Sequence, residues 1–169
     1  MLFRQQKNMK KNTLLLFLLL PFLLLLSCNK STVFEQTVTF PNANWAFEEK
    51  AVNFEVPITG SDKPHSLTVE LDLVGNPNVD MFYATFIIIT PSGGKTVKSI
   101  LFNFINPKEP YIMGNNPNEK IYRLNVYPKR FFTETGIYAF EINQFSNKAD
   151  NYGIRALRLH IEKVKEKKI

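Results

Sequence analysis

Cysteine is nearly absent from this chain, which has one, Cys28. No internal disulfide can form, so stability has to come from a hydrophobic core. Histidine is almost as scarce, with only His65 and His160. A zinc centre needs clustered His and Cys, which two histidines and one cysteine cannot supply. A Ser–His or Cys–His nucleophile pair needs a base beside its nucleophile, and no serine sits in a Gly-x-Ser-x-Gly elbow. Asp72 and Asp80 are too scattered to argue for a calcium loop. Sustained helical periodicity is missing as well, and only Asn147 to Tyr152 is expected to hold a helical turn.

Acidic residues are missing from the first 27 positions, which carry four basic ones, Arg4, Lys7, Lys10 and Lys11. An almost unbroken apolar run follows, from Leu14 to Leu26, interrupted only by Pro21. It is shorter than the ~20 residues that cross a bilayer, and it fits the core of an export signal. Met9 offers a start as plausible as Met1. The run ends Leu25-Leu26-Ser27-Cys28, which resembles a bacterial lipobox: an aliphatic residue three before the cysteine, then a small residue, then a thiol to take the lipid. A plain secretory signal, or an uncleaved anchor, would have no need of a cysteine at that position. The expectation is therefore a signal peptide over 1–27, with Cys28 acylated, and no other cofactor. Residues 28–32 would be a short tether, 33–164 one domain and 165–169 a basic tail.

Cleavage changes the charge. The whole chain is +6, but without residues 1–27 it has 17 basic against 15 acidic residues. So mild a balance on an exported protein argues against nucleic acid as a partner. The tail lysines 163, 165, 167 and 168 are read as a solvated end rather than a lipid-binding patch.

From Val33 onward the pattern is strand after strand. Val52, Phe54, Val56 and Ile58 alternate with polar or small residues, and so do Leu67, Val69, Leu71 and Leu73. Tyr122-x-Leu124-x-Val126, Tyr138-x-Phe140-x-Ile142 and Leu157-x-Leu159-x-Ile161 repeat the rule. Met81 to Ile89 and Lys98 to Ile105 are apolar at nearly every position, which predicts strands covered on both faces, or an interface. Breaks are expected at Thr59 to Pro64, where His65 would follow in a turn, at Gly75 to Asn78 and at Pro91 to Gly94. Asn106 to Glu119 is the longest irregular stretch. The prediction is an all-β fold, an antiparallel, jelly-roll-like β-sandwich of about seven or eight strands.

Paired carboxylates for glycoside chemistry can come from distant strands. Glu48 and Glu49 are adjacent, and Glu55, Glu70 and Glu141 fall on polar strand faces, where solvent-facing charge is the simpler reading. The protein is therefore not expected to be an enzyme. Its aromatic content, 15 Phe, six Tyr and one Trp, leaves two readings. Trp45, Tyr111 and Tyr127 could stack on a sugar, or they could be core material, which the excess of Phe favours. A glycan-binding lipoprotein of a polysaccharide-uptake system is thus the alternative to a structural or interaction lipoprotein. Contacts to a partner or ligand would come from Trp45, Tyr111, Tyr127 and Tyr152, with Tyr111 and Tyr152 set in the loops Asn106 to Glu119 and Asn147 to Tyr152.

A longer series of segments follows one known order. Phe40 and Trp45 lead to Lys50-Ala51-Val52-Asn53-Phe54-Glu55-Val56 and then to the Leu67–Leu73 strand. Next come Phe82-Tyr83-Ala84-Thr85-Phe86, Thr90-Pro91-Ser92-Gly93-Gly94, and Arg130-Phe131-Phe132-Thr133-Glu134-Thr135-Gly136-Ile137-Tyr138. Gly153-Ile154 and Leu157 to Lys163 close it. In that order the chain resembles the GldH family of gliding-motility lipoproteins from the Bacteroidetes. The resemblance implies a membrane-anchored envelope protein that works with other envelope proteins in motility, with a link to type IX secretion in some species. It carries over no catalytic residue. The sequence after Cys28, Asn29-Lys30-Ser31, lacks the acidic cluster associated with surface export, so the periplasmic face of the outer membrane is the expected location.

Overall fold

The computed structural model describes residues 31–49, 51–105, 111–113 and 118–164. Cys28, the lipobox Leu25-Leu26-Ser27 and the tail 165–169 lie outside them. Alternation becomes strands at each of the five places where the sequence shows it. The strands among the described residues are β1 (Thr32–Thr39), β2 (Ala51–Ile58), β3 (Ser61–Val74), β4 (Met81–Ile89), β5 (Lys95–Asn103), the two-residue β6 (Ile112–Met113), β7 (Glu119–Phe132), β8 (Gly136–Phe145) and β9 (Ile154–Lys163).

Two antiparallel sheets result, one in the order β1-β9-β3-β7-β6 and the other β2-β8-β4-β5. The pairs nest: β1 with β9, β2 with β8, β3 with β7. Consecutive strands alternate between the sheets, apart from the β4–β5 hairpin and the short β6 beside β7. Eight long strands nested this way form a jelly roll, as the sequence predicts.

Between the layers lie Val52, Phe54, Val56 and Ile58 from β2 and Tyr138, Phe140 and Ile142 from β8. Leu67 to Leu73 of β3 and Leu157, Leu159 and Ile161 of β9 close on them from the other sheet. Edge-to-face rings such as Phe132 against Tyr138 and Phe140 lock the layers together; each such pair is worth about 1 kcal/mol beyond its burial.

Four expectations need correction. His65 is not in a turn, because β3 starts at Ser61 and carries it as a buried residue edge-on to Phe132. Irregular pairing with β7 across Ser61, His65 and Leu67 is what lets Pro64 sit inside a strand. Glu70 is not solvent-facing. It is 4 % exposed, because Arg123 and Arg158 close over its carboxylate. Of the two readings for the apolar strands β4 and β5, cover on both faces is the one that falls, because Met81, Tyr83 and Val97 stand in solvent and β5 is a sheet edge. Finally, Asn147 to Tyr152 forms bends, and the short 3-10 turns fall at Pro41–Ala43 and Phe47–Glu49.

Candidate functional site: two unlike sheet faces

The two sheets present unlike chemistry to solvent. On the β9 sheet, the outward positions are charged and paired. Arg155 grips Asp72 at 2.8 Å and Glu119 at 2.6 Å. Arg123 donates to Glu70 at 2.7 Å, and Arg158 reaches both Glu70 and Thr37. Polar residues that bind one another leave few free groups for a partner; the partly exposed Arg155 pairs contribute little stability, whereas the pairs to Glu70 close over a buried carboxylate.

The outward face of the β8 sheet mixes polar residues with exposed apolar ones. Register places Phe145 of β8, Tyr83 of β4 and Leu101 of β5 in one row across three strands. Met81 follows Tyr83 two residues away on the same face. Further along, Ile87 sits beside Val97, and Ala139 beside Ile89. Tyr83 is 60 % exposed and Phe145 55 %, with Met81, Val97 and Ile137 also open to water. Asn53 and Glu55 of β2 flank this surface, and Glu141 of β8 stands opposite Ile87 within it. Between the two apolar groups the register sets Thr85, Ser99 and Asn143, so the apolar positions form two clusters separated by a polar row; exposed aromatic clusters of this kind mark surfaces that another molecule can cover.

The residues singled out in the sequence are scattered. Trp45 is wholly enclosed, stacked on Phe40 at 5.1 Å with its indole N–H donating to the Glu49 carbonyl. It offers no surface, which corrects its candidacy as a contact and removes the strongest platform for a sugar. Asn147 to Tyr152 is a clasp around this tryptophan rather than a free loop. Asn151, itself buried, donates to the Trp45 carbonyl at 2.8 Å, and Asn44 donates to Asp150 at 2.7 Å. Tyr152 in that clasp is half exposed. Tyr111 packs on the core and donates its hydroxyl to the Phe104 carbonyl at 2.6 Å. Much of its loop, 106–110 and 114–117, is outside the described residues. Tyr127 is half-buried between two cations, with the Lys98 ammonium 4.5 Å from its ring centre and the Arg130 guanidinium 5.6 Å away.

Tyr83 and Phe145 were missed. Tyr83 stands at an outward position of a strand that reads as apolar on both faces, Phe145 at the outward-facing end of the alternating strand β8, and only register between three strands brings them together. Among the described residues no group of three or more His, Cys, Asp or Glu is placed to hold a metal ion.

Fold and surface together define a jelly-roll domain with one ion-paired face and one face that bears exposed apolar residues. No protein-family model matches the chain. Over 127 residues it is 31% identical to the gliding motility lipoprotein GldH of Flavobacterium johnsoniae, covering 75% of this chain and 77% of that protein. The chain belongs to the GldH family of gliding motility lipoproteins. Among solved structures, the enzymatically active domain of bacteriophage CBA120 tailspike protein 4 is 14% identical, covering 76% of this chain and 15% of its own, with a TM-score of 0.29. The infectious bursal disease virus Gt strain structure is 12% identical, covering 79% of this chain and 35% of its own, with a TM-score of 0.34. Likenesses this slight carry no functional argument.

Proposed function

We propose that this protein is a non-catalytic docking component of the gliding-motility and type IX secretion apparatus, tethered through acylated Cys28 to the periplasmic face of the outer membrane. The β8-sheet face meets its protein partners. One observation carries the reading: Tyr83 and Phe145 stand exposed in one row with the half-buried Leu101, and exposed Met81 lies next to them on the same face, while the opposite face is tied up in its own ion pairs. Aromatic anchors inside such a patch typically contribute ~2 kcal/mol or more each when a partner buries them.

The test is crosslinking in cells followed by capture of tagged wild type, Cys28→Ala, and a Tyr83→Glu/Phe145→Glu pair. Wild type should bring down a fixed set of envelope proteins that both variants lose, although the surface variant stays membrane-bound. Equal recovery by the surface variant would remove the face from the reading. Loss of every protein partner, with retention of the wild-type chain on a polysaccharide array, would favour glycan capture instead.

A further inference from the structure

Strand β5 leaves one edge of the β8 sheet open, and the phase of its pairing shows which groups are free. Thr90 donates to the Gly94 carbonyl at 2.8 Å, and Phe104 to the Asp80 carbonyl at 2.9 Å. Antiparallel pairing alternates, so Thr96, Lys98, Ile100 and Phe102 bond to β4. The amides and carbonyls of Val97, Ser99 and Leu101 therefore point away from it. The Asn103 amide, in the same phase, already reaches across to the Tyr122 hydroxyl at 3.3 Å. Among the described residues no strand pairs with this edge.

Beyond the edge lies a cleft of about 350 Å³ between β5 and β7, lined by Ser99, Leu101, Leu124 and Asn125 among others. Its mouth is basic. Lys98 occupies a core-facing position on β5, yet its ammonium spans the gap and donates to the Val126 carbonyl. Arg130 lies beyond Tyr127 and donates to Thr96 at 3.3 Å. Neither cation forms an ion pair with a carboxylate among the described residues. The guanidinium also keeps its Nε buried without a hydrogen-bond partner. An inward-pointing lysine on an edge strand discourages indiscriminate strand pairing. A carboxylate arriving on an added strand would satisfy that same lysine and Arg130 together.

We propose that the β5 edge and its cleft take up an extended acidic segment of a protein partner, added as a fifth strand to the β8 sheet. Its backbone pairs with Val97, Ser99 and Leu101. Its outward side chains extend the apolar row beside Val97 and Leu101. An inward Asp or Glu lies between Lys98 and Arg130, against Tyr127. The cations thus select the partner by charge, and the edge selects it by extended shape.

This assignment rests on the docking reading above, and its test needs no cellular partner, so the two can fail separately. The probe is a fluorescein-labelled peptide, Thr-Val-Thr-Val-Glu-Val-Thr-Val-Thr, titrated into the detergent-solubilised full chain and followed by anisotropy. Its twin with Lys in place of Glu should bind at least tenfold more weakly, and a Lys98→Glu/Arg130→Glu chain should reverse that preference. N-methylation of alternate peptide amides on the pairing side should abolish binding while leaving the charge intact. Lys98→Gln, which keeps the fold under milder change, should lower the Glu preference without inverting it. Equal binding of the two peptides, or binding unaffected by N-methylation, would overturn the proposal. So would crosslinks from a photoreactive residue at Val97 that run only to a second copy of this chain.

Discussion

Trp45 is the one tryptophan of the chain, and its enclosure makes it a reporter of the core. Iodide should quench its fluorescence only weakly in the native protein and strongly after unfolding. Trp45→Ala should cost about 3–5 kcal/mol, the range for truncating a buried aromatic, measured by denaturant unfolding. His65 adds a pH dependence. Burial foremost, and then the Lys163 ammonium, hold its imidazole below the ordinary value of 6.5, and its Nδ1 has no hydrogen-bond partner. Below pH 6.5 the unfolded chain therefore takes up a proton more readily than the native one. Stability falls as pH drops from about 6.5 toward the depressed native value, and it is regained above 6.5. Thermal melts between pH 7.5 and 5 should show Tm declining on the acid side, with His65→Gln flattening the slope. An identical slope in the variant would locate the acid sensitivity elsewhere. Glu70 is the polar counterpart. Glu70→Gln leaves two arginines facing a neutral group and should cost about 1–3 kcal/mol, since both arginines stay partly in water.

At the scale of elements, alternation made most strands readable, because a side chain on a half-buried sheet has only two directions to choose from. Val52 to Ile58 and Leu67 to Leu73 were legible on that ground alone. What alternation cannot reveal is which strands become neighbours. Tyr83, Leu101 and Phe145 are 18 to 62 positions apart along the chain and meet only through β4 pairing with both β5 and β8. Glu70 looked like solvent-facing charge for the same reason, since its two arginines come from β7 and β9. Joints are likewise set by spatial neighbours. Gly153 holds φ +90°, and a Cβ there would stand 2.9 Å from the Pro77 backbone. Its amide also donates to the Ala43 carbonyl at 2.9 Å. Gly153→Ala should therefore destabilise by about 1–3 kcal/mol through combined strain and crowding, read as a lower urea midpoint. The surface row should behave oppositely. Tyr83→Ser together with Phe145→Ser should leave the midpoint within about 0.5 kcal/mol of wild type, as exposed substitutions do, while partner capture is lost. A large drop in stability would mean these rings support the fold and would weaken the docking reading.

At the scale of the whole molecule, the anchor and the face have to cooperate. One acyl chain holds a protein to a bilayer only marginally, whereas two or more hold it stably, at ~0.8 kcal/mol per buried CH₂. On the proposed function, a tethered domain would meet its partners at high effective concentration, and modest contacts along the Tyr83–Phe145 row would suffice for assembly. Cys28→Ala should consequently release the protein into the soluble periplasmic fraction. It should cut partner recovery at least tenfold while leaving the thermal melt of the domain unchanged, because Cys28 precedes the first strand. Intact cells treated with protease bear on the leaflet: a domain on the periplasmic face survives, and digestion would place it on the outer surface. A soluble Cys28→Ala protein that still recovered every partner would mean that the docking face suffices without the lipid. The anchor would then serve location rather than affinity, and the β8-sheet face alone would carry the assembly.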